Sequence, residues 1–218
     1  MAKRRFEHRE SGRAEPSPEA EKTELQEATE RALLVLSGER GYTRTTVAEV
    51  LRRSGSNRTR FYSTWTSKED CFGSAYAAAA EPLAARLLAA CDAASDWGTG
   101  VAAALTELGR FTAREPSLAA GLLGEVRVAG GTAPARREEL VERLARAIDR
   151  GRGNSLVSPP PYTARFLVEA IEATAIRSLA MGQPLDEVLP DLLFLAYAYY
   201  RGLPEARQAV RRFSVARR

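Results

Sequence analysis

The residues best able to do chemistry in this sequence are concentrated in one short segment, residues 41–68. Six cationic side chains stand there against Glu49 alone, which gives a segment charge of +5, while the whole chain of 218 residues carries only +4. Clustered cations at this density are typical of a surface that faces nucleic-acid phosphates. The cations are Arg44, Arg52, Arg53, Arg58, Arg60 and Lys68.

Residues that serve catalysis and metal binding are scarce. The only histidine, His8, lies in a polar segment predicted to be disordered, which removes Ser-His-Asp triads, Cys-His pairs and histidine metal sites from the folded part. Cys71 and Cys91 fall in one predicted helix, about 30 Å apart at a rise of about 1.5 Å per residue, too far for a disulfide. The glycines form neither of the common phosphate-binding loops. We expect no enzyme, metal or cofactor.

The composition is that of a soluble globular protein, with 44% hydrophobic and 28% charged residues. No apolar run approaches the roughly 18 residues that a membrane span needs. The N-terminus begins with charged residues and resembles neither a secretory signal nor an anchor, so a cytoplasmic location is expected. The length favours a mid-sized domain with a smaller module.

Helix signals begin after a polar tail. Residues 1–20 hold almost no large apolar side chains and are predicted to be disordered. Thr23 and Gln26 match a capping box that would start the first helix, which Gly41 would end. The predicted domains are then the tail, a DNA-binding domain over 21–67 and a helical domain over 68–218.

A helix-turn-helix is predicted inside the cationic segment. Thr46 and Glu49 match a second capping box, and the short helix after it would stop at Gly55. Asn57 would cap a third helix with Phe61 and Trp65 turned toward the core. Spacing alone is weak evidence for DNA binding, because many helical hairpins share it.

The rest of the chain is predicted to be helical as well. Ser67 and Asp70 have the capping signature of a long fourth helix. Glycine and proline residues mark the later breaks, and no strand pattern competes, so the fold class is all-α. The later helices are predicted at 99–114, 117–129, 134–150, 161–181, 185–201 and 204–213.

Residues 41–76 resemble the DNA-binding domain of the tetracycline-repressor (TetR) family. The LPDLLFLAYAYYRGLPEA segment also resembles the family's penultimate helix and following turn. Ser56 and Asn57 depart from the pattern, which has an apolar residue followed by Ser. The matching positions are Gly41-Tyr42, Thr45-Thr46-Val47, Gly55, Phe61-Tyr62, Trp65, Ser67-Lys68-Glu69 and Phe72.

This resemblance implies a three-helix DNA-binding domain, joined by a long helix to a helical ligand-binding and dimerisation domain. It implies base reading by Arg58, Thr59 and Arg60, since arginine pairs well with guanine in the major groove. The side chains expected at phosphates are those of Thr45, Thr46, Tyr62 and Lys68. Capping for the threonines, core packing for Tyr62 and plain solvation for Lys68 and Arg60 stay open.

The same resemblance implies a homodimer on palindromic DNA and a small-molecule effector of unknown identity. Core packing is an open alternative for the apolar residues in both of the following sets. The effector pocket would use Trp97, Phe111, Leu122, Glu125, Arg127, Phe166 and Glu169. The dimer interface would use Ile171, Thr174, Ala175, Leu189, Leu192, Leu193 and Ala196.

Three functions remain compatible with the sequence. The first is a ligand-responsive repressor that a small molecule releases from DNA. The second is a DNA-binding activator without a small-molecule inducer. The third is an all-helical scaffold that uses its apolar faces for a protein partner. Salt separates the third from the others, because binding to phosphates weakens steeply as salt rises.

Overall fold

A computed structural model describes residues 18–215, and across this range the chain is helical with no β-strand. The predicted all-α fold is confirmed. Over the same residues no helix is both long enough and apolar enough to span a membrane. His8 and most of the predicted tail lie outside the described residues.

Three helices form the N-terminal domain: α1 (Pro18–Arg40), α2 (Val47–Ser54) and α3 (Arg58–Thr64). Helix α1 begins before the predicted cap, so residues 18–20 are helical rather than part of a tail. Thr23 does not cap this helix, because it lies inside it and its hydroxyl donates to the Glu19 carbonyl. Helices α2 and α3 have the predicted bounds.

The connecting helix α4 (Lys68–Asp92) is continuous through Pro82. Ser67 caps it by accepting the Asp70 amide N–H at 3.0 Å, as the sequence predicted. Cys71 and Cys91 both lie on α4 and are free thiols. Burial raises the pKa of each thiol, so both stay protonated at neutral pH and make poor nucleophiles.

The middle of the chain forms α5 (Trp97–Arg114), α6 (Pro116–Ala119), α7 (Val126–Ala129) and α8 (Ala133–Asp149). The helix predicted over 117–129 is interrupted by a π-helical turn at Ala120–Gly124. Gly121 lies in this turn, against α1, where a Cβ would be 2.0 Å from the Leu34 carbonyl oxygen. The backbones approach this closely only because Gly121 has no side chain.

The C-terminal helices are α9 (Thr163–Met181), α10 (Leu189–Arg201) and α11 (Leu203–Val215). A 3-10 turn at Leu185–Glu187 precedes α10, so the helix predicted from 185 begins four residues later. Helix α9 packs on α8, and α10 packs on α11 and α5. The resulting core joins the second domain to α1 and α4.

Candidate nucleic-acid interface and effector cavity

The turn between α2 and α3 is built by local capping. The Thr46 hydroxyl accepts the Glu49 amide N–H, and the Glu49 carboxylate accepts the Thr46 amide N–H at 3.0 Å. These hydrogen bonds lower the pKa of Glu49, which keeps the box charged at neutral pH. Gly55 ends α2 in the left-handed region, at φ 73°, where a side chain would be strained.

Helix α3 is held by its apolar side. Asn57 caps it by accepting the Arg60 amide N–H at 2.9 Å. Phe61 and Trp65 are buried with ring centroids 5.2 Å apart. Since this side faces the core, the opposite side of the helix is fixed toward solvent.

The three predicted base readers lie on that solvent side. Arg58, Thr59 and Arg60 are all exposed, and in the described part of the chain their side chains form no hydrogen bond or ion pair. Arg53 differs because it pairs with Glu39 at 2.9 Å. Arg58 and Arg60 therefore present guanidinium groups that are free to bind a ligand.

Two of the four predicted phosphate contacts are accessible and one is not. Thr46 is exposed, and Tyr62 is 48% exposed. Thr45 is only 1% exposed, and its hydroxyl donates to the Gly41 carbonyl at 3.0 Å. The prediction that the Thr45 side chain contacts a phosphate is wrong, because that side chain packs inside the domain.

Lys68 ties the start of α4 to the loop before α2. Its ammonium donates to the carbonyl oxygens of Tyr42 and Thr45, at 2.9 and 2.8 Å, and lies 4.0 Å from the centroid of the Tyr42 ring. Partial burial lowers the pKa of Lys68. One of its three N–H donors remains for a phosphate, so a structural role and the predicted contact are compatible.

Glu125 joins the two domains instead of lining a pocket. Its carboxylate accepts the Tyr42 amide N–H at 2.7 Å. The same loop segment of the DNA-binding domain is held by Lys68, so one loop receives contacts from both α4 and the start of α7. The sequence does not predict this role, because nothing in the pattern around Glu125 marks a long-range partner.

A cavity of about 140 Å³ lies among α4, α5, α8, α9 and the π-helical turn. Leu122 is the one member of the predicted pocket set that lines it. Apolar side chains form nearly all of the wall, which is the usual character of a small-molecule site. The wall includes Leu83, Leu87, Leu105, Leu108, Val141 and Val168.

The other predicted pocket residues lie elsewhere. Trp97 donates its indole N–H to the Ile148 carbonyl at 2.8 Å and packs against Tyr200. Phe111 lies on a surface groove beside α1. Phe166 is 64% exposed, and Glu169 pairs with Arg165 near the surface at 3.2 Å. Their helices place these side chains away from this cavity, so none of the four lines it.

An ion pair closes one end of the cavity. Arg137 on α8 is buried, and its Nε donates to Glu172 Oε1 on α9 at 2.8 Å, with a second contact from its Nη2. The hydrogen bonds that Arg137 donates to Glu172 raise the pKa of Arg137. Arg127, predicted to point inward, is exposed and reaches the same carboxylate from outside at 3.2 Å.

The predicted dimer residues mostly belong to the protomer core. Ile171 lines the cavity, and the Thr174 hydroxyl donates to the Ala170 carbonyl. The other five are buried inside the protomer and cannot reach a partner, so their assignment to the interface is wrong. They are Ala175, Leu189, Leu192, Leu193 and Ala196.

The exposed faces of α9 and α10 carry other residues than those predicted for the dimer interface. On α9, Phe166, Ala170 and Ala173 follow one another at helical spacing on the solvent side. On α10, Leu195 and Tyr199 do the same.

Acidic, cysteine and histidine residues within 18–215 form no group of three that could hold a metal ion.

Comparison with known proteins agrees with this architecture. Residues 31–75 match the family model described as bacterial regulatory proteins, tetR family. A TetR family transcription regulator from Marinobacter aquaeolei VT8 is 18% identical, with a TM-score of 0.68 over 83% of this chain and 97% of that chain. No curated protein matches.

Two further solved structures are similar in fold. FadR from Bacillus subtilis in complex with stearoyl-CoA is 16% identical, with a TM-score of 0.64 over 78% of this chain and 96% of that chain. A gamma-butyrolactone receptor (ArpA like protein) is 17% identical, with a TM-score of 0.64 over 90% of this chain and 99% of that chain. Residues 31–75 thus match a tetR-family DNA-binding segment, and the described helices share the fold of these solved structures.

Proposed function

We propose that this protein is a TetR-family transcriptional repressor that binds a palindromic DNA site as a homodimer and is released by a small molecule. The observation that carries the proposal is the solvent side of α3, where Arg58, Thr59 and Arg60 are exposed and unpaired. Arginine donors at the first turn of a short helix match the acceptors on guanine in the major groove. Thr46, Tyr62 and Lys68 flank them as phosphate contacts.

The dimer follows from the size of the reading helix. Helix α3 has seven residues, and one such helix makes few base contacts. Two copies related by a two-fold axis double those contacts and read half-sites about one helical turn apart. The exposed faces of α9 and α10, with Phe166, Leu195 and Tyr199, supply apolar area for a four-helix contact between protomers.

Release requires a connection between the cavity and the reading helix. Glu172 closes the cavity and also holds Arg127 on α7. Two residues before Arg127, Glu125 holds the Tyr42 amide of the DNA-binding domain. A molecule that displaces Glu172 changes the support of α7 and, through Glu125, the position of the loop before α2.

The cavity and two similar folds support a small-molecule effector. One of those proteins was solved with stearoyl-CoA, and another is a gamma-butyrolactone receptor. The effector must bind better to the conformation with weaker DNA affinity, because coupling between two sites is reciprocal. An apolar cavity beside the connecting helix α4 meets the geometric need for such a site.

A footprint on the DNA flanking the coding sequence tests this function. We expect a symmetric protected site, and an affinity that falls steeply between about 50 and 200 mM salt. Arg58→Ala should remove protection at the same protein concentration, whereas Arg146→Ala on α8 changes the charge equally without touching the reading face. No protection at low salt would favour a helical scaffold that does not bind DNA. Loss of transcription in a strain lacking the protein would instead indicate an activator.

A further inference from the structure

The cavity is apolar and of a definite size. Its volume is about 140 Å³, and leucine, valine and alanine side chains form most of its wall. An apolar cavity of roughly 150 Å³ in a protein stays free of water and binds a molecule such as benzene. A molecule that fits this volume is therefore compact, and an acyl chain as long as that of stearoyl-CoA exceeds it.

One polar side chain in the wall lacks a partner. Tyr76 on α4 is only 5% exposed and lines the cavity, and its hydroxyl forms no hydrogen bond among residues 18–215. Burial raises its pKa, with a further contribution from the Glu172 carboxylate, so the hydroxyl stays neutral. In this apolar wall, an oxygen on a bound molecule would give the Tyr76 hydroxyl the hydrogen bond it lacks.

The charged residues at the same end already compensate each other. The Arg137 side chain is buried and the Glu172 side chain largely so, and they form a two-contact pair, so their charges compensate each other beside the cavity. Arg127 adds a positive charge, but it is exposed and screened by water. A carboxylate on the effector would lie beside Glu172 in a poorly hydrated space, which is unfavourable.

We propose that the effector is a compact, uncharged, largely apolar molecule. Its single oxygen function accepts a hydrogen bond from the Tyr76 hydroxyl. This class includes phenols, small ketones and small lactones. This inference rests on the proposed function only where it calls the bound molecule the effector. The binding of such a molecule in the cavity does not depend on DNA binding.

Calorimetric titration of the full chain tests size and charge with four probes: p-cresol, toluene, benzoate and decanoate. We expect p-cresol to bind about three- to tenfold tighter than toluene, through one net hydrogen bond. Benzoate and decanoate should not bind at the same concentrations. Tighter binding of either anion would overturn the proposal, and so would failure of both p-cresol and toluene to bind at millimolar concentration.

Tyr76→Phe tests the hydrogen bond without changing the shape of the wall. This variant should lower p-cresol affinity to that of toluene while leaving toluene affinity unchanged. Tyr162→Phe, an equal change at an exposed tyrosine, should alter neither. An equal loss for both probes in Tyr76→Phe would mean that Tyr76 only shapes the cavity, and the proposed oxygen contact would be wrong.

A DNA-binding titration with and without p-cresol separates this inference from the proposed function. If p-cresol binds as expected and lowers DNA affinity, both stand. If p-cresol binds through Tyr76 but leaves DNA affinity unchanged, the cavity chemistry stands and the release mechanism fails. If the protein binds DNA sequence-specifically but binds neither p-cresol nor toluene, the proposed DNA binding stands and the proposed cavity chemistry fails.

Discussion

The reading face of α3 and the polar end of the cavity both depend on arginine, but they use it in opposite ways. Arg58 and Arg60 keep their charge in water and need no partner in the protein. Arg137 is buried, and its charge is tolerable only because Glu172 neutralises it. A free arginine is available to a ligand, whereas a paired one mainly holds its own helices together.

The largest expected effect separates these two uses. Arg137→Ala leaves the Glu172 carboxylate buried with only an exposed partner, so we expect a loss of about 3–5 kcal/mol in the free energy of unfolding, measured in urea. Arg86→Ala, which removes an exposed pair with Glu107, should cost less than about 1 kcal/mol.

The double variant Arg137→Met with Glu172→Leu sharpens this result. Removing both charges should restore most of the lost stability, because no unpaired carboxylate remains. If Arg137→Ala is as mild as Arg86→Ala, the pair is solvated and the contrast between the two regions fails.

The close packing of the π-helical turn on α1 gives the second effect. Gly121→Ala places a Cβ 2.0 Å from the Leu34 carbonyl oxygen, which is backbone and cannot move aside. We expect a loss of about 2–3 kcal/mol in stability, read from thermal or urea unfolding. Gly124→Ala in the same π-helical turn meets nothing within 4 Å and should be neutral or slightly stabilising. Equal effects would show that α1 does not pack on this turn as closely as described.

The third effect concerns the reading face alone. Arg58→Ala should weaken specific DNA binding by about 1–3 kcal/mol per half-site at fixed salt, and it should relax selection at one base position. Stability should be unchanged, because Arg58 has no partner among residues 18–215. Affinity measured on wild-type and single-base variant DNA checks this. An unchanged affinity and footprint would exclude Arg58 as a reader.

The smallest effect is at the link between the domains. Glu125→Gln replaces a charged acceptor of the Tyr42 amide with a weaker neutral one, so the opening free energy of that amide should fall by roughly 1 kcal/mol. Amide hydrogen exchange at Tyr42 measures this. Glu115→Gln, which alters the exposed pair with Arg31, is the control and should leave Tyr42 unaffected. Equal exchange in all three proteins would remove Glu125 from the proposed route of release.

The sequence by itself determined what is local in this protein. The bounds of α2 and α3 follow from Thr46, Gly55 and Asn57, because a cap and the backbone it satisfies are close in the chain. The exposed position of Arg58 followed from the same register, once Phe61 was assigned to the core. The caps that stabilise the ends of α2 and α3 are made by residues close to those ends in the sequence.

Only the tertiary structure decided which side chains meet across the chain. Thr45 and Thr46 are adjacent, yet one is buried and the other exposed. Arg137 and Glu172 form a pair across 35 residues of sequence, and Glu125 finds Tyr42 across 83. Helical periodicity indicates that one face of a helix is apolar. It does not indicate whether that face packs inside the protomer, lines a cavity or stays exposed, because the same apolar residue types occur in all three situations.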